Sequence, residues 1–312
     1  MRETNSVKIG SRLVHLLFAL AVGLIPPSAR ADDVLEDDLL LLPNWSLEIT
    51  PEDPILDRTW RRTANGSYSL VNSSISDLWN TAKSPLGWRT REWLLFTGVV
   101  GGATALVYLG DDPIRDRAIA SPNFERFGNK VRFLSDGTAF LAVTGGFLLS
   151  GALFRDKELE TASLLIESVT ISYVWSAGFK RVVGRSRPNA GGPRDFNPFS
   201  GNLSMPSGET THAFAMASVV AEQYPNWPVR VLSYGLASCV GAARIARDGH
   251  WTSDVLVGAA IGTFVGRSVS WFHRERKRRA AARARRGLGP EQQALQHSFQ
   301  VTTRSLHWQV RF

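Results

Sequence analysis

From residue 93 onward the chain alternates between apolar blocks rich in small residues and short polar breaks. Each block is long enough for an α-helix, and none shows the strict apolar–polar alternation of a half-buried strand. The pattern therefore predicts an all-α fold, a bundle of about six core helices. We expect the acidic run with proline at 111–113 to end the first helix. The six blocks cover 93–109, 133–154, 161–180, 209–223, 228–247 and 250–272.

The first segment, 1–31, has the three parts of a signal peptide. A basic start is followed by the apolar run Leu13–Ile25 and by the small-x-small sequence Ala29-Arg30-Ala31. The apolar run is shorter than the ~20 residues that span a bilayer as a helix. We therefore expect a cleaved signal peptide, with an uncleaved anchor as the alternative.

Three further segments follow the predicted signal peptide. Prolines and an Asn-Gly pair break 32–92 into short pieces, which predicts an irregular N-terminal lead-in with one or two short helices. The helical domain covers 93–272. The last segment, 273–312, begins with basic residues and ends in alternating apolar positions from Val301 to Phe312, a pattern that predicts one short strand.

Composition and charge exclude several classes of protein, of site and of partner. A hydrophobic content of 44% with 21% charged residues excludes a disordered chain. The single cysteine, Cys239, excludes an intramolecular disulfide and a site with several thiolate ligands. Of the net charge of +8, the run 274–286 carries +7. Because the basicity is local, we expect no nucleic-acid partner, whereas the run itself could bind an anionic membrane surface.

Clusters of polar residues lie where apolar blocks begin or end, and together they predict a site for a phosphate dianion. Lys180, Arg187 and Arg244 supply three cations, and an arginine can bind two phosphate oxygens at once. Ser207 and Gly208 stand at the start of a block, where the free N–H groups and the dipole of a helix favour an anion.

A histidine and a carboxylate add a candidate nucleophile to this site. His250 and Asp254 are four residues apart, so we expect both side chains on one helix face. The carboxylate can then hold one ring nitrogen and leave the other free to attack. Such a pair alone is more often a surface interaction, and Pro-Ser-Gly alone is more often a turn. Only the combination predicts a catalytic site.

In order and spacing, Lys-x6-Arg-Pro, Pro-Ser-Gly and Arg-x5-His-x3-Asp resemble the three motifs of the type 2 phosphatidic acid phosphatase and vanadium haloperoxidase superfamily. The likeness covers about 93–272. It implies a metal-independent phosphatase with no cofactor, acting on phosphomonoesters that are often lipid phosphates. It further implies that His250 attacks phosphorus to form a phosphohistidine, that Asp254 orients it, and that the cations and amides stabilise the transition state.

One residue departs from the pattern of the superfamily. Glu209 stands where a histidine is thought to protonate the leaving group, and three nearby cations would lower its pKa rather than raise it. His212, one turn further along the same face, is our candidate acid; impaired proton donation is the alternative. Two other functions stay open. One is a vanadate-dependent haloperoxidase, and the other is a catalytically impaired protein that binds lipid phosphates.

The sequence leaves two locations open. A cleaved signal with a buried bundle predicts an exported, periplasmic protein, either soluble or peripheral, and the mean hydropathy of −0.09 favours it. An N-terminus that stays in the cytosol predicts an integral inner-membrane bundle, which suits the basic run at 274–286 by the positive-inside rule. We expect the exported bundle.

Overall fold

The computed structural model describes residues 73–135, 137–153 and 156–285. Within these ranges the chain is all-α, with one isolated β-bridge between Arg185 and Phe196. The predicted signal peptide, most of the lead-in and the predicted C-terminal strand lie outside the described residues. The helices are α1 at 73–83, α2 Thr90–Ala105, α3 Asp111–Ile119, α4 Pro122–Lys130, α5 Thr138–Leu153, α6 Asp156–Val183, α7 Gly208–Gln223, α8 Trp227–Ala246 and α9 Thr252–Arg285.

The predicted all-α bundle is confirmed, and its six blocks correspond to α2 and to α5 through α9. The expected end of the first helix at 111–113 is not found. A π-helical turn, Leu106–Gly110, leads directly into α3 instead. This wider turn lets the chain continue through Pro113, which has no N–H to donate to a regular helix. The short helices α3 and α4 were not predicted because their sequences are mostly polar.

The central helix α7 packs against α6, α8 and α9. Glycines on α9 let this helix come close to α7. A Cβ at Gly262 would clash with the carbonyl oxygen of Thr211, and a Cβ at Gly266 would clash with that of Ala215. Small residues at such contacts are typical of helices that pack within a membrane. The apolar core lies between α6, α7 and α9 and includes Leu164, Leu165, Ile171, Val219, Val265 and Val269.

This packing brings four helix ends together. The C-terminal ends of α6 and α8 and the N-terminal ends of α7 and α9 meet at one end of the bundle, which we call the site end. The amide of Ser207, just before α7, donates to the carbonyl of Asp254 in α9 at 3.0 Å. The three polar clusters identified in the sequence lie at these helix ends.

Large apolar surfaces face outward elsewhere. Within the described residues, three helical segments are long and apolar enough to cross a membrane: Thr90–Ile119, Trp227–Ala246 and Thr252–Arg285. In the most apolar part of the first, only 6% of the residues are buried inside the protein. Exposed apolar area of this extent requires lipid or a partner to cover it. The structure therefore favours a membrane protein over the soluble or peripheral bundle that the sequence analysis preferred.

Candidate active site

The predicted site residues converge at the site end from three separate stretches of the chain. All but one of them come from the last turns of α6 and α8, from the first two turns of α7 with the residue before them, and from the start of α9 with the turn before it. The remaining residue, Arg187, is exposed on the loop after α6. In chain order the set is Lys180, Arg187, Ser207, Gly208, Glu209, His212, Arg244, His250 and Asp254.

His250 is buried, with 3% of its surface exposed, and lies between two carboxylates. Its Nδ1 is 3.5 Å from Oδ2 of Asp254, and its Nε2 is 3.7 Å from Oε2 of Glu209. The expected neighbour relation with Asp254 is present, but its cause differs from the prediction. Because His250 precedes the first residue of α9, Thr252, the pair forms across the helix start rather than along a regular helix face.

Asp254 is itself fixed by a buried hydrogen-bond network. Its Oδ2 accepts hydrogen bonds from the hydroxyl of Ser204 at 2.6 Å and from the amide of Trp251 at 3.0 Å. Its Oδ1 accepts one from the guanidinium of Arg185 at 2.6 Å. Arg185 is fully buried and makes a second ion pair with Asp111 at 2.7 Å. The carboxylate that faces His250 is therefore held from three directions.

The sequence analysis did not identify Arg185, Ser204 or Asp111 as site residues. Asp111 has the sequence context of a helix end, and Ser204 lies in a loop rich in glycine, proline and asparagine. Arg185 stands two residues from Arg187, yet the first is fully buried and the second is exposed. No local pattern separates the two arginines, because their burial depends on the contact of this loop with α3 and α9.

Glu209 lies where an anionic ligand would be expected. Its Oε1 is 3.2 Å from the Nη1 of Arg244. Burial favours a raised pKa, but the neighbouring His250 and the charge of Arg244 outweigh it and lower the pKa of Glu209 to about 2. Glu209 is therefore an anion at physiological pH, in the direction that the sequence analysis expected, and its carboxylate is the counter-ion of Arg244.

Lys180 connects the site to the long loop. Its Nζ donates a hydrogen bond to the carbonyl of Leu203 at 2.6 Å. Its Cε would lie 3.7 Å from a Cβ at Gly208, so the ammonium side chain passes next to the start of α7. Burial and the positive charge of Arg187 lower the pKa of Lys180 to about 8. The lysine is a cation at neutral pH and becomes neutral in mildly alkaline solution.

His212 lies in the second turn of α7. Its Nδ1 is 2.8 Å from the hydroxyl of Ser172, and its ring stacks on Tyr173 with 6.1 Å between centroids. Its Nε2 points toward Gly208, 4.0 Å from where a Cβ would stand. Burial lowers the pKa of His212 to about 4, so the ring is neutral at physiological pH when no phosphate is bound.

The amides of Ser207 and Gly208, at the start of α7, are not equivalent. The N–H of Ser207 donates to the carbonyl of Asp254, and the Ser207 hydroxyl accepts from Thr210 at 2.9 Å. Ser207 therefore ties α7 to α9, whereas we had expected its amide to bind phosphate. Gly208 is the first residue of α7, and its N–H has no partner within the helix. It is the amide at which an anion can bind.

Comparison with protein families agrees with this geometry. Residues 161–278, which include all three clusters, match the model of the PAP2 superfamily. This segment is a PAP2 superfamily domain. The matched range begins in α6 and ends in the basic part of α9, so α1 to α5 lie outside it.

Three curated proteins similar to this chain are all named lipid A 1-phosphatase. The protein from Rhizobium johnstonii is 26% identical over 228 residues, which cover 67% of this chain and 84% of the relative. The protein from Porphyromonas gingivalis is 44% identical over 72 residues, 22% of this chain and only 16% of the relative. The protein from Rhizobium etli is 34% identical over 104 residues, 31% of this chain and 44% of the relative.

Two solved structures are also similar to this chain. Aquifex aeolicus LpxE is 23% identical with a TM-score of 0.42, and the match covers 52% of this chain and 94% of that one. The transmembrane PAP2-type phosphatidylglycerolphosphate phosphatase from Bacillus subtilis is 19% identical with a TM-score of 0.43, and the match covers 58% and 94%.

Proposed function

We propose that this PAP2 protein is a phosphoric monoester hydrolase that removes phosphate from a lipid through a phosphohistidine intermediate. The observation that carries the proposal is the buried His250, placed between the fixed carboxylate of Asp254 and the carboxylate of Glu209, which pairs with Arg244. The likeness to proteins named lipid A 1-phosphatase supports a phosphorylated lipid as the substrate. The apolar surface of α2 supports a site that meets its substrate in a membrane.

In the proposed first step, Nε2 of His250 attacks phosphorus and the bond from phosphorus to the leaving oxygen breaks. Asp254 stabilises the positive charge that develops on the ring, because its carboxylate lies beside Nδ1. Arg244, Lys180 and the amide of Gly208 stabilise the negative charge on the phosphoryl oxygens. In the second step water attacks the phosphohistidine, which releases phosphate and restores the imidazole.

A phosphate can reach Arg244 only if the Glu209 carboxylate moves aside, because both anions compete for the same guanidinium. With a pKa of about 2, Glu209 has no proton to give to a leaving group. His212 remains the proposed acid, since a bound phosphate dianion would favour its protonated form. Without such protonation, proton donation in this protein is impaired.

The role of His212 can be tested with two substrates that differ in the basicity of the leaving group. In a His212→Ala variant, hydrolysis of an alkyl phosphate should fall on the order of 100-fold, because its leaving alkoxide needs a proton. Hydrolysis of p-nitrophenyl phosphate should change far less. His273→Ala, at the other end of the bundle, is the matched control. An equal and small effect on both substrates would remove His212 from the mechanism.

The nucleophile is tested by trapping. Rapid quenching with a labelled lipid phosphate should give an acid-labile, base-stable label on the wild-type protein and none on His250→Ala, with activity lost in the same variant. Binding of substrate without label or phosphate release would favour the catalytically impaired lipid-phosphate binder. The observation that favours this second candidate function is Glu209, whose carboxylate stands where a proton donor is expected.

We further propose that the site faces the periplasm. The helix α9 starts at the site and ends in the basic stretch after residue 273; 22 residues of helix separate Thr252 from Arg274. At ~1.5 Å per residue this is ~33 Å, close to the thickness of the hydrocarbon core of a bilayer. Because clustered Lys and Arg stay in the cytoplasm, the site would lie on the opposite side of the membrane.

Labelling of intact cells tests this orientation. In a Cys239→Ser background, Phe199→Cys places a thiol at the site end, where Phe199 is 81% exposed, and Arg283→Cys places one at the basic end. A membrane-impermeant maleimide should label only the first thiol until the cells are lysed. Labelling of only the second would reverse the proposed orientation, and carbonate extraction of the wild type would test whether the protein is integral.

A further inference from the structure

Three buried serines, Ser168, Ser172 and Ser176, lie four residues apart along α6. Side chains at this spacing lie on the same face of a helix, one above the other. The helix packs against α7, and its C-terminal end reaches the candidate active site. Ser172 is the member of this row that contacts His212, the proposed acid.

The hydroxyl of Ser172 has two neighbours at hydrogen-bond distance. Its Oγ is 2.9 Å from the carbonyl oxygen of Val169 in the same helix and 2.8 Å from Nδ1 of His212. A carbonyl oxygen can only accept, and a hydroxyl has a single proton to give. Both contacts are therefore hydrogen bonds only if Ser172 donates to the carbonyl and accepts from a protonated Nδ1. The opposite arrangement would leave two oxygens 2.9 Å apart with no proton between them.

Ser168, one turn earlier, shows what a serine on this face does without a histidine. Its Oγ donates to the carbonyl oxygen of Leu165 at 3.0 Å. In the part of the chain that the structure describes, this hydroxyl makes no second hydrogen bond. Serines inside helices commonly donate to a carbonyl of the preceding turn in this way. The same donation by Ser172 leaves its oxygen as the acceptor for His212.

The other ring nitrogen of His212 faces the site. Among the described residues, Nε2 makes no hydrogen bond. It lies 4.0 Å from where a Cβ on Gly208 would stand, and Cε of Lys180 lies 3.7 Å from the same point. Stacking on Tyr173 holds the plane of the ring from a second side. Because the hydrogen bond at one nitrogen sets the state of the other, Nε2 is the nitrogen that can exchange a proton with a bound substrate.

We propose that Ser172 is a positioning residue that fixes the tautomer of His212, with Nδ1 protonated and Nε2 left to carry the catalytic proton. This inference rests on the proposed function and deepens the role of His212 in it. When Nε2 takes up a proton, both ring nitrogens become donors, and Ser172 already accepts from one of them. An N–H at this buried position without an acceptor would disfavour the protonated ring. Ser172 thus stabilises the acid form of His212 through a hydrogen bond on the side away from the substrate.

The proton balance of both proposed steps runs through Nε2. In the first step Nε2–H gives its proton to the leaving oxygen as the bond from that oxygen to phosphorus breaks, and the ring becomes neutral. In the second step the water that attacks the phosphohistidine gives one proton to Nε2, and its remaining hydrogen stays on the released phosphate. The proton on Nδ1 stays in its hydrogen bond to Ser172 throughout.

The tautomer can be read by nitrogen-15 NMR of the full-length protein, labelled at histidine, in detergent at neutral pH. The signals of His212 are those that are missing from the His212→Ala variant. The wild type should show a protonated Nδ1 and an unprotonated Nε2, and Ser172→Ala should shift the ring toward the tautomer with the proton on Nε2. A wild-type ring with its proton on Nε2 would overturn the inference, and this result does not require Ser172→Ala to fold.

The catalytic consequence is tested against a matched serine. Ser172→Ala should lower kcat for an alkyl phosphate about tenfold, because protonation of His212 then leaves a buried donor without a partner. Hydrolysis of p-nitrophenyl phosphate should stay within about twofold, since its leaving group needs no proton. Ser168→Ala is the control, because it removes a buried hydroxyl from the same helix face but no contact with His212. This control should change neither activity.

A second background separates positioning from packing. In the His212→Ala variant, adding Ser172→Ala should change hydrolysis of the alkyl phosphate less than about twofold, because the group through which Ser172 acts is gone. A serine that only supports the packing of α6 against α7 would lower the hydrolysis of both substrates in both backgrounds. That result, or no effect of Ser172→Ala on either substrate, would overturn the inference and leave the phosphatase proposal in place. If the wild type releases phosphate from neither substrate, the proposed function fails, and the NMR result alone decides whether Ser172 fixes the ring.

Discussion

Two clusters of buried charge, one at each end of the bundle, are built in different ways. At the site end, Arg185 pairs with Asp111 and Asp254, and every carboxylate oxygen of the two aspartates accepts at least one hydrogen bond. At the other end, the buried Asp77 and Glu167 share one cation, Arg276, which is 39% exposed on its side chain. There Oδ2 of Asp77 and Oε1 of Glu167 have no hydrogen-bond partner among the described residues.

The difference shows what a buried charge needs in order to position another group. A charge removed from water is stable only with a full set of partners, and such a set leaves it a single geometry. The site-end cluster meets this condition and so fixes the carboxylate beside His250. The other cluster joins α1 to α6 and α9 through a partly solvated cation, which gives no comparable precision. We expect the first to control catalysis and stability and the second to control stability only.

The largest expected effect comes from matched aspartate substitutions. Asp254→Asn should lower kcat about 10³- to 10⁴-fold, because an amide cannot stabilise the positive charge that develops on His250. Asp77→Asn removes a buried carboxylate of the other cluster and should leave kcat within about twofold. Phosphate release measured on both folded variants checks the contrast. Equal losses would mean that the two clusters do not differ in the way we describe.

A second contrast concerns stability. Arg185→Gln leaves two buried aspartates without their cation and should lower the free energy of unfolding by about 3–5 kcal/mol. Arg276→Gln should cost about 1–2 kcal/mol, since Arg276 is partly solvated and a nearby carboxyl group can take up a proton. Thermal denaturation in detergent would compare the two. A larger loss in Arg276→Gln would contradict the comparison.

The fold was predictable where the sequence is apolar over a whole helix. The blocks that became α2 and α5 to α9 are of this kind. The polar helices α3 and α4 were not predicted, because their formation depends on tertiary contacts such as that of Gly128 against Ala246 on α8. The exposure of the apolar faces was also not predictable, since periodicity does not tell a buried helix from one that faces lipid.

The site was predictable as a set of residue types and less so as a geometry. The proximity of His250 and Asp254 followed from their spacing, although the pair lies at the start of α9 rather than on its face. The network below them was not predicted, because Arg185 and Asp111 are 74 positions apart and only the folded chain brings them together. The contact between Glu209 and Arg244 was also not predicted, because it too joins residues that only the folded chain brings together.

A smaller effect is expected from neutralising a glutamate at the site end, and a glutamate at the opposite end provides the control. Glu209→Gln removes the anion that competes with phosphate for Arg244, and inorganic phosphate should then inhibit about tenfold more strongly, equivalent to ~1.4 kcal/mol. Glu160→Gln removes a carboxylate paired with His273 and Lys277 at the opposite end and should not change phosphate inhibition. Unchanged inhibition in Glu209→Gln would mean that Glu209 does not occupy the phosphate site.

The smallest expected effect is a pH dependence that belongs to the site end alone. Burial and Arg187 lower the pKa of Lys180 to about 8, so the free protein loses this cation as the pH rises through that value. From pH 7 to 8.5, kcat/KM should therefore fall about fourfold, whereas kcat should fall less because bound phosphate favours the charged lysine. Lys180→Arg keeps the charge and should abolish the fall. Lys277→Arg, in the exposed pair with Glu160, should leave the profile unchanged. A fall that persists in Lys180→Arg would assign it to another group and remove Lys180 from the binding of the free substrate.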